Sequence, residues 1–272
     1  MICLIRGTCI SHNHADMVAA AMASTLMQKF NKRVLVLQTD SSHPVENVML
    51  GARKNSQKMA SDKFSFTDDG MEALARRIEI GPISREQFTD CCLNISKTAN
   101  SFDIACVSDK VVWTEEHLSR LLTSAAMIYD VVLITADVPE IEKLEPHVDK
   151  EIVCVKQGIK EAYSAREDAA IAVVNYDTAS SFNLKAMAKI YGKKTVYGIP
   201  YNTGFNDACM KNYAIAFLFS NNAPESHDDN YLFCKGVSQL VEGILGLDDV
   251  EVKERDFVYL SSAARKARGM KQ

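Results

Sequence analysis

The sequence lacks several features that would identify common kinds of protein. No apolar run approaches the roughly 20 residues that a membrane-spanning helix requires, and no basic region, apolar segment and cleavage site open the chain in order. No G-x-S-x-G motif supports a serine nucleophile. The net charge of −4 gives no overall attraction to nucleic acid or anionic lipid. These absences predict a cytoplasmic protein, with contact at the inner face of the membrane as the alternative.

Metal-type cysteine motifs are also missing. The chain has 8 cysteines but no CxxC pair, and Cys3, Cys106 and Cys154 lie inside apolar runs. This predicts core thiols in a reducing compartment rather than a disulfide framework. The vicinal Cys91 and Cys92 fit a packing role, and the lone Trp113 is predicted to anchor the core.

Short apolar runs alternate with helical patterns along most of the 272 residues. The runs are nearly continuous rather than alternating, as in strands buried on both faces of a parallel sheet. The pattern predicts a doubly wound, mostly parallel α/β sheet of about seven strands with helices on both faces. The predicted strands are 2–5, 33–37, 103–107, 131–135, 151–155, 170–175 and 195–198. The predicted helices are 16–30, 69–78, 85–100, 114–127, 160–167, 183–191 and 229–245.

The first 40 residues run strand, loop, helix, strand, the order of a nucleotide-binding βαβ unit. The loop reads GTCISHNHADM, with one glycine, Gly7, and no lysine occurs before Lys29. A phosphate-binding loop needs glycines, so that backbone N–H groups can close on phosphate, and a lysine to neutralise it. The scaffold of a nucleotide-binding unit is therefore predicted without its phosphate chemistry.

Several helix ends carry recognisable signals. Asn13 or His14 is predicted to cap the first helix, and Asn31 to adopt a left-handed conformation at its end. Thr114, followed by two glutamates, suits the start of another helix.

Weak motifs in a consistent order resemble the MinD/ParA family of deviant-Walker P-loop ATPases, which position cellular machinery and partition DNA. The resemblance covers about residues 1–246 and implies a P-loop NTPase-like fold. The matching segments are KRVLVLQTD (32–40), VENVMLG (45–51), DDGMEAL (68–74), GPISREQFTD (81–90), SFDIACVSD (101–109), YDVVLITADVP (129–139), AIAVVNYD (170–177) and YGKKTVYGIPYNTGFNDACMKNYAIAFL (191–218).

This chain departs from the family pattern, K-G-G-x-G-K-[ST], at the residues that hold phosphate and magnesium. In an ungapped alignment Ser11 replaces the signature lysine, Asp16 the phosphate lysine and Met17 the magnesium-binding hydroxyl. The glycine positions hold His12, Asn13 and Ala15. Gln38 and Thr135 stand where the family has its catalytic-side and metal-side aspartates, while Asp40 keeps the other aspartate of the second strand.

Two other groups of residues could hold a ligand. Cys9, His12 and His14 place zinc-type ligands within six residues, but no fourth ligand is evident, so no metal is expected. By the resemblance, Asn175, Pro200 and Tyr201 surround a purine, and with Asp40 they are the candidate nucleotide-binding residues. The alternative for that segment is an ordinary strand end and turn. No cofactor is expected, with weak ATP or ADP binding as the alternative.

The resemblance then implies a catalytically degenerate relative that keeps the fold as an interaction or localisation platform for a pilus, secretion or partition assembly. TadZ/CpaE-like proteins are the nearest branch. Protein partners are expected, as a homodimer or as a heterodimer with an active relative. The alternative is an active ATPase with a reorganised phosphate loop that drives positioning of DNA or a membrane machine. Residues 247–272 are predicted to be an extension whose basic tail, 262–272, is solvated or else contacts nucleic acid or membrane.

Overall fold

The computed structural model describes residues 1–8, 12–39, 70–94, 102–106, 113–136, 142–158, 165–193, 195–211, 213–221 and 229–247. Ser11, Asp40 and the basic tail lie outside these ranges, so the predictions that fall on them stay predictions. The predicted boundary after residue 246 also stays a prediction.

Helices alternate with strands over most of the described chain. The strands are β1 (Ile2–Gly7), β2 (Val34–Gln38), β3 (Leu93–Asn94), β4 (Phe102–Cys106), β5 (Val131–Thr135), β6 (Lys150–Lys156), β7 (Ala170–Tyr176) and β8 (Val196–Pro200). The helices are α1 (His12–Phe30), α2 (Gly70–Ile80), α3 (Arg85–Cys91), α4 (Glu115–Ile128), α5 (Leu184–Tyr191), α6 (Thr203–Met210), α7 (Ala214–Asn221) and α8 (Asp229–Ile244).

All eight strands form one sheet in the order β3-β4-β2-β5-β1-β6-β7-β8. Every neighbouring pair is parallel except β3 and β4. The chain winds outward from β1 in both directions, so the order switches beside β1. In open α/β sheets ligands bind in the crevice at the carboxyl ends of the strands beside such a switch. The segment after β1 therefore lies where this kind of fold binds a ligand.

The core lies on both faces of the sheet. One face packs on α1, α7 and α8, and the other on α2, α3, α4 and α5. Residues 18–27 of α1 are buried all round, because the helix lies between the sheet and α7 and α8. Its alanines, such as Ala19 and Ala23, let these neighbours approach closely. Trp113 is buried in the second face, which confirms its packing role.

The doubly wound α/β prediction is confirmed, and each of the seven predicted strands is found within about two residues of its expected ends. The eighth strand, β3, was missed, and the predicted helix 85–100 was wrong because α3 ends at Cys91. Cys92 turns extended (ψ 151°), and Leu93 and Asn94 pair antiparallel with β4. Asn94 Nδ2 also donates to Asp103 Oδ1 at 2.6 Å, which holds this short strand. The predicted helix 160–167 lies mostly outside the described residues, and 165–167 are not helical.

Helix ends agree with the sequence signals except at the first helix. Asn31 is left-handed (φ 52°), and the Thr114 hydroxyl accepts a hydrogen bond from the backbone N–H of His117. The caps predicted at Asn13 and His14 were wrong, because α1 already begins at His12 and both residues lie in its first turn.

Candidate functional site

The segment that would hold phosphate joins β1 to α1. Gly7 is the last residue of β1, and α1 begins at His12, so little chain is left between them. Ser11 lies outside the described residues, and of His12 and Asn13 only the helical backbone is described. Apart from Gly7 and Thr8, the loop residues that are described fully lie in the first two turns of α1.

Those two turns place a carboxylate inside the protein. Asp16 is only 7% exposed and Ala15 is buried beside it, while Met17 is half-buried. Asp16 lies close enough to the β6 thiol of Cys154 to act on it: burial raises the pKa of Cys154, and the negative charge of Asp16 raises it further. The position that the resemblance assigns to a phosphate-binding lysine thus holds a buried negative charge.

The strand ends beside α1 carry neutral polar groups. Gln38 of β2 and Thr135 of β5 are paired in the sheet register, and both are buried, at 0% and 3% exposure. The Thr135 hydroxyl has no hydrogen-bond partner among the described residues, while its carbonyl accepts from the backbone N–H of Thr39 at 3.0 Å. Carboxylate oxygens are the ligands that Mg²⁺ prefers in protein sites, and neither position supplies one.

The cation nearest in sequence to this segment, Arg6, faces the other side of the sheet. Its Nε donates to Glu151 Oε1 at 2.6 Å, and both side chains are buried. Glu151 Oε2 also accepts the backbone N–H of Arg166 at 2.7 Å. Since strand residues alternate between faces, Arg6 points with Leu4 away from α1. The Arg6 guanidinium therefore pairs with Glu151 and does not face α1.

An open cleft with about 350 Å³ of empty space, which includes open solvent, lies where α1 meets the ends of β7 and β8 and is called the pocket below. His14 Nε2 and Asn175 Nδ2 lie 3.0 Å apart across its mouth. Because an amide nitrogen only donates, the imidazole nitrogen accepts in this arrangement. Asn175 holds a left-handed conformation (φ 54°) at an irregularity in the β7–β8 pairing. A left-handed non-glycine residue is uncommon, and such strain concentrates at functional sites.

The structure brings together only part of the predicted nucleotide set. Asn175 and Pro200 line the pocket. Tyr201 does not, and its side chain is 52% exposed. Asp40 lies outside the described residues.

Sequence reasoning missed most of the pocket wall. Asn202 and Asn206 supply amides, and Phe205 and Phe233 supply aromatic rings. Asn202 caps α6, its Oδ1 accepting from the backbone N–H of Phe205 at 2.7 Å. The signal was Asn202, two residues after Pro200, a helix-start residue that would have placed α6 here.

Among the described residues no group of three His, Cys, Asp or Glu side chains is arranged to hold a metal ion. The zinc alternative rested on Cys9, His12 and His14. His14 is hydrogen-bonded to Asn175, and the other two side chains are not described. Within the described part of the chain, no helix is long and apolar enough to cross a bilayer.

No protein-family model matches the sequence, and a search of curated proteins finds no match. Solved structures do match. The ParA family ATPase from Chlorobium tepidum TLS aligns with a TM-score of 0.63 at 15% identity, covering 88% of this chain and 98% of that one. MinD in the MinC:MinD cell division complex of Aquifex aeolicus aligns at 0.62 and 10% identity, covering 93% and 98%. The pNOB8 ParA bound to nonspecific DNA aligns at 0.51 and 11%, covering 89% and 98%. At these identities the likeness is one of fold: the chain has the fold of the ParA/MinD ATPases.

Proposed function

We propose that this chain is a non-hydrolysing protein with the ParA/MinD fold that serves as an interaction or localisation platform for a pilus, secretion or partition assembly. The observation that carries the proposal is the buried carboxylate of Asp16 in the second turn of α1. A carboxylate within about 5 Å of a phosphate repels it by about 3 kcal/mol per unit charge at an effective dielectric constant of 20.

The other residues that could act on phosphate or magnesium support the same interpretation. Gln38 and Thr135 offer no charge to a magnesium ion, and Arg6 is paired with Glu151 on the opposite face. Among the described residues, no lysine or arginine side chain belongs to α1 before Lys29. An active enzyme would need its cation from the segments outside the described residues or from a partner.

A platform needs a partner, and the fold suggests what kind. The Aquifex MinD structure contains MinC, which supports a protein partner for this fold. We propose a homodimer, or a heterodimer with an active relative, formed through the face that carries the α1 N-terminus. The DNA-bound ParA supports contact of the basic tail, 262–272, with nucleic acid as the lesser alternative.

Nucleotide titration tests the proposal directly. Purified protein is titrated with ATP and ADP, with magnesium, up to millimolar concentration by isothermal calorimetry, and phosphate release is measured in parallel. We expect no saturable binding and no hydrolysis above the buffer rate. Saturable MgATP binding with turnover would refute the platform proposal and support an ATPase with a reorganised loop.

A restored loop tests whether α1 lies where phosphate would bind. The variant Asp16→Lys with His12→Gly and Ala15→Gly replaces the carboxylate by a cation and returns two glycines. Reversing one charge amounts to two charge units, so we expect ATP affinity to rise at least about 100-fold. Glu79→Lys, on the exposed end of α2, makes the same charge change elsewhere and should leave affinity unchanged. Equal affinities in both variants would contradict the loop assignment.

The role of Asp16 in assembly is tested separately. Asp16→Ala should leave the melting temperature within a few degrees and the oligomeric mass, by light scattering, unchanged if the residue only excludes phosphate. A fall in oligomeric mass with an unchanged melting temperature would assign Asp16 to the interface instead.

A further inference from the structure

The walls of the pocket are shared with helix α7. Phe205 and Phe233 line the pocket and stack on each other with ring centres 4.3 Å apart. Phe217 of α7 contacts both, at 5.7 Å and 6.5 Å. α6 approaches this ring closely at Gly204, where an added Cβ would lie 2.9 Å from Phe217. Any shift of the two wall rings therefore has to be accommodated by α7.

A chain of asparagine amides makes a second connection between the same two places. Asn202, which lines the pocket, donates from Nδ2 to Asn230 Oδ1 at 2.9 Å. Asn230 Nδ2 donates to Asn221 Oδ1 at 3.0 Å, and Asn221 Nδ2 donates to the Phe217 carbonyl at 2.8 Å. Asn221 is the last residue of α7 and Asn230 lies in the first turn of α8. The pocket rim is thus hydrogen-bonded, amide by amide, to the end of α7.

α7 has few buried side chains apart from these contacts. It spans eight residues, and only Ala214 and Leu218 are fully buried. Phe219 is 52% exposed, and Tyr213, just before the helix, is 45% exposed. A short helix with few buried residues opens at low free-energy cost. Its stability should therefore respond to how well the Phe205 and Phe233 walls are supported from the pocket side.

The pocket lining also limits what could fill it. Its polar residues are His14, Asn175, Asn202 and Asn206, and the others are apolar. None is an Asp, Glu, Lys or Arg, so nothing in the lining compensates an ionised ligand, and burying an unpaired charge is costly. Amides and an imidazole at the rim offer donors and acceptors. The lining suits a small, flat, uncharged molecule.

We propose that filling this pocket tightens the packing of α7, so that a small uncharged ligand controls the exposed aromatic surface formed by Tyr213 and Phe219. The two connections, aromatic and amide, carry the coupling from the pocket to the helix. The pocket includes Asn175 and Pro200, the candidate purine contacts, but the coupling to α7 goes beyond the platform role and holds with or without it, because no step involves phosphate.

Substitutions that fill the pocket test the coupling without a ligand. Ala21→Leu adds volume inside the pocket, and Met17→Phe adds it from the half-exposed lip, where folding is less sensitive. Hydrogen–deuterium exchange is followed for residues 213–221. We expect exchange there to slow about fivefold or more in either variant. Ala188→Leu, on α5 across the sheet, is the matched control and should change α7 exchange little.

Breaking the amide chain should uncouple the two sites. Asn230→Ala removes the central link but no pocket-lining atom. In that background, Met17→Phe should lose most of its effect on α7 exchange. If the fillers leave α7 exchange unchanged in an otherwise native protein, the coupling is refuted. If Asn230→Ala leaves the filler's effect intact, the amide chain is refuted as a carrier.

Benzimidazole is the ligand probe, because it is a flat, neutral bicycle with one donor and one acceptor. It is titrated into nucleotide-free wild-type protein up to millimolar concentration, with exchange of 213–221 as the readout. We expect saturable slowing, and Gly204→Ala, which displaces Phe217, should both weaken benzimidazole binding and reduce the slowing, because coupling between two sites is reciprocal. Absence of binding, or binding without an effect on α7, would overturn the proposal. Failure of ATP to bind would bear only on the platform proposal.

Discussion

The buried ion pair between Arg6 and Glu151 gives the sharpest stability prediction. Replacing Arg6 by methionine leaves the Glu151 carboxylate buried, with only the Arg166 backbone N–H donating to it. Removing one partner of a buried pair typically costs about 3–5 kcal/mol. One Arg6 nitrogen, Nη2, is itself buried without a hydrogen-bond partner among the described residues. The pair is therefore costly to bury, and removing both charges should cost far less than removing either one.

A double-mutant cycle measures this directly. Arg6→Met and Glu151→Leu are made singly and together, and urea unfolding is followed by fluorescence of Trp113, which is buried and is the one tryptophan in the sequence. Each single change should lower the unfolding free energy by about 3–5 kcal/mol. The double change should lower it by only about 1–3 kcal/mol, because the Arg166 N–H is left without its acceptor.

The exposed pair of Arg120 and Glu116 on α4 is the matched control. Its side chains are 51% and 70% exposed, so the same cycle with Arg120→Met and Glu116→Leu should yield a coupling below about 1 kcal/mol. Additive effects at Arg6 and Glu151, within about 0.5 kcal/mol, would refute the reasoning. They would mean that Arg6 is stabilised by something other than Glu151.

Three further outcomes are expected. Gly236→Ala in α8 places a Cβ 2.7 Å from a β8 carbonyl and should lower the unfolding free energy by about 1–2 kcal/mol after the gain in helix propensity, whereas Gly81→Ala, with no atom within 4 Å, should change the melting temperature little. Burial raises the pKa of Cys209 to about 12, so iodoacetamide at pH 8 should leave it unlabelled in native protein, by mass spectrometry, until denaturant is added. Hydrogen bonds from Arg33 lower the pKa of Asp130. The Asp130 carboxylate therefore contributes to stability above the ordinary carboxyl pKa, and this contribution is lost as the pH falls through the lowered pKa. Asp130→Asn should flatten the acid limb of a curve of unfolding free energy against pH by less than about 1 kcal/mol.

The sheet could be predicted from the sequence because its strands carry their own signal. Seven strands are apolar runs that neighbours bury on both faces, so composition alone marks them. The two-residue β3 carries no such signal. It forms because Asn94 and β4 meet, and a contact between distant segments leaves no local pattern. The same reason explains why the helix predicted through this segment was wrong.

The candidate site divides in the same way. Asp16, Gln38 and Thr135 could be located from sequence, because each lies in or at the end of a recognisable helix or strand, whereas the roles that the resemblance gives them stay predictions. The pocket wall could not be predicted, because Phe233 comes from α8 and stacks on Phe205 of α6, and a contact between distant segments leaves no local pattern. Asn202 was within reach of a helix-cap argument, whereas its bond to Asn230 was not. Local sequence patterns therefore predict the helices and strands, whereas the pocket forms by packing between distant segments that no local pattern predicts.

Three of the substituted positions, Asp16, Gln38 and Thr135, are best understood as one electrostatic change. By the resemblance, an active site would hold one lysine and two aspartates here, which together carry a single negative charge. This chain holds Asp16 with the neutral Gln38 and Thr135, which together also carry a single negative charge. Placing Asp16 beside two retained aspartates would have gathered three carboxylates at one buried end of the sheet, at a cost of several kcal/mol. On the proposed loop assignment, neutral residues at positions 38 and 135 avoid that repulsion, so Asp16 could be buried there without a magnesium ion. Asp16→Lys alone would then place an uncompensated cation beside two neutral residues. Combining it with Gln38→Asp should therefore give a higher melting temperature than the sum of the two separate effects predicts. Strictly additive melting shifts would show that the two positions do not interact.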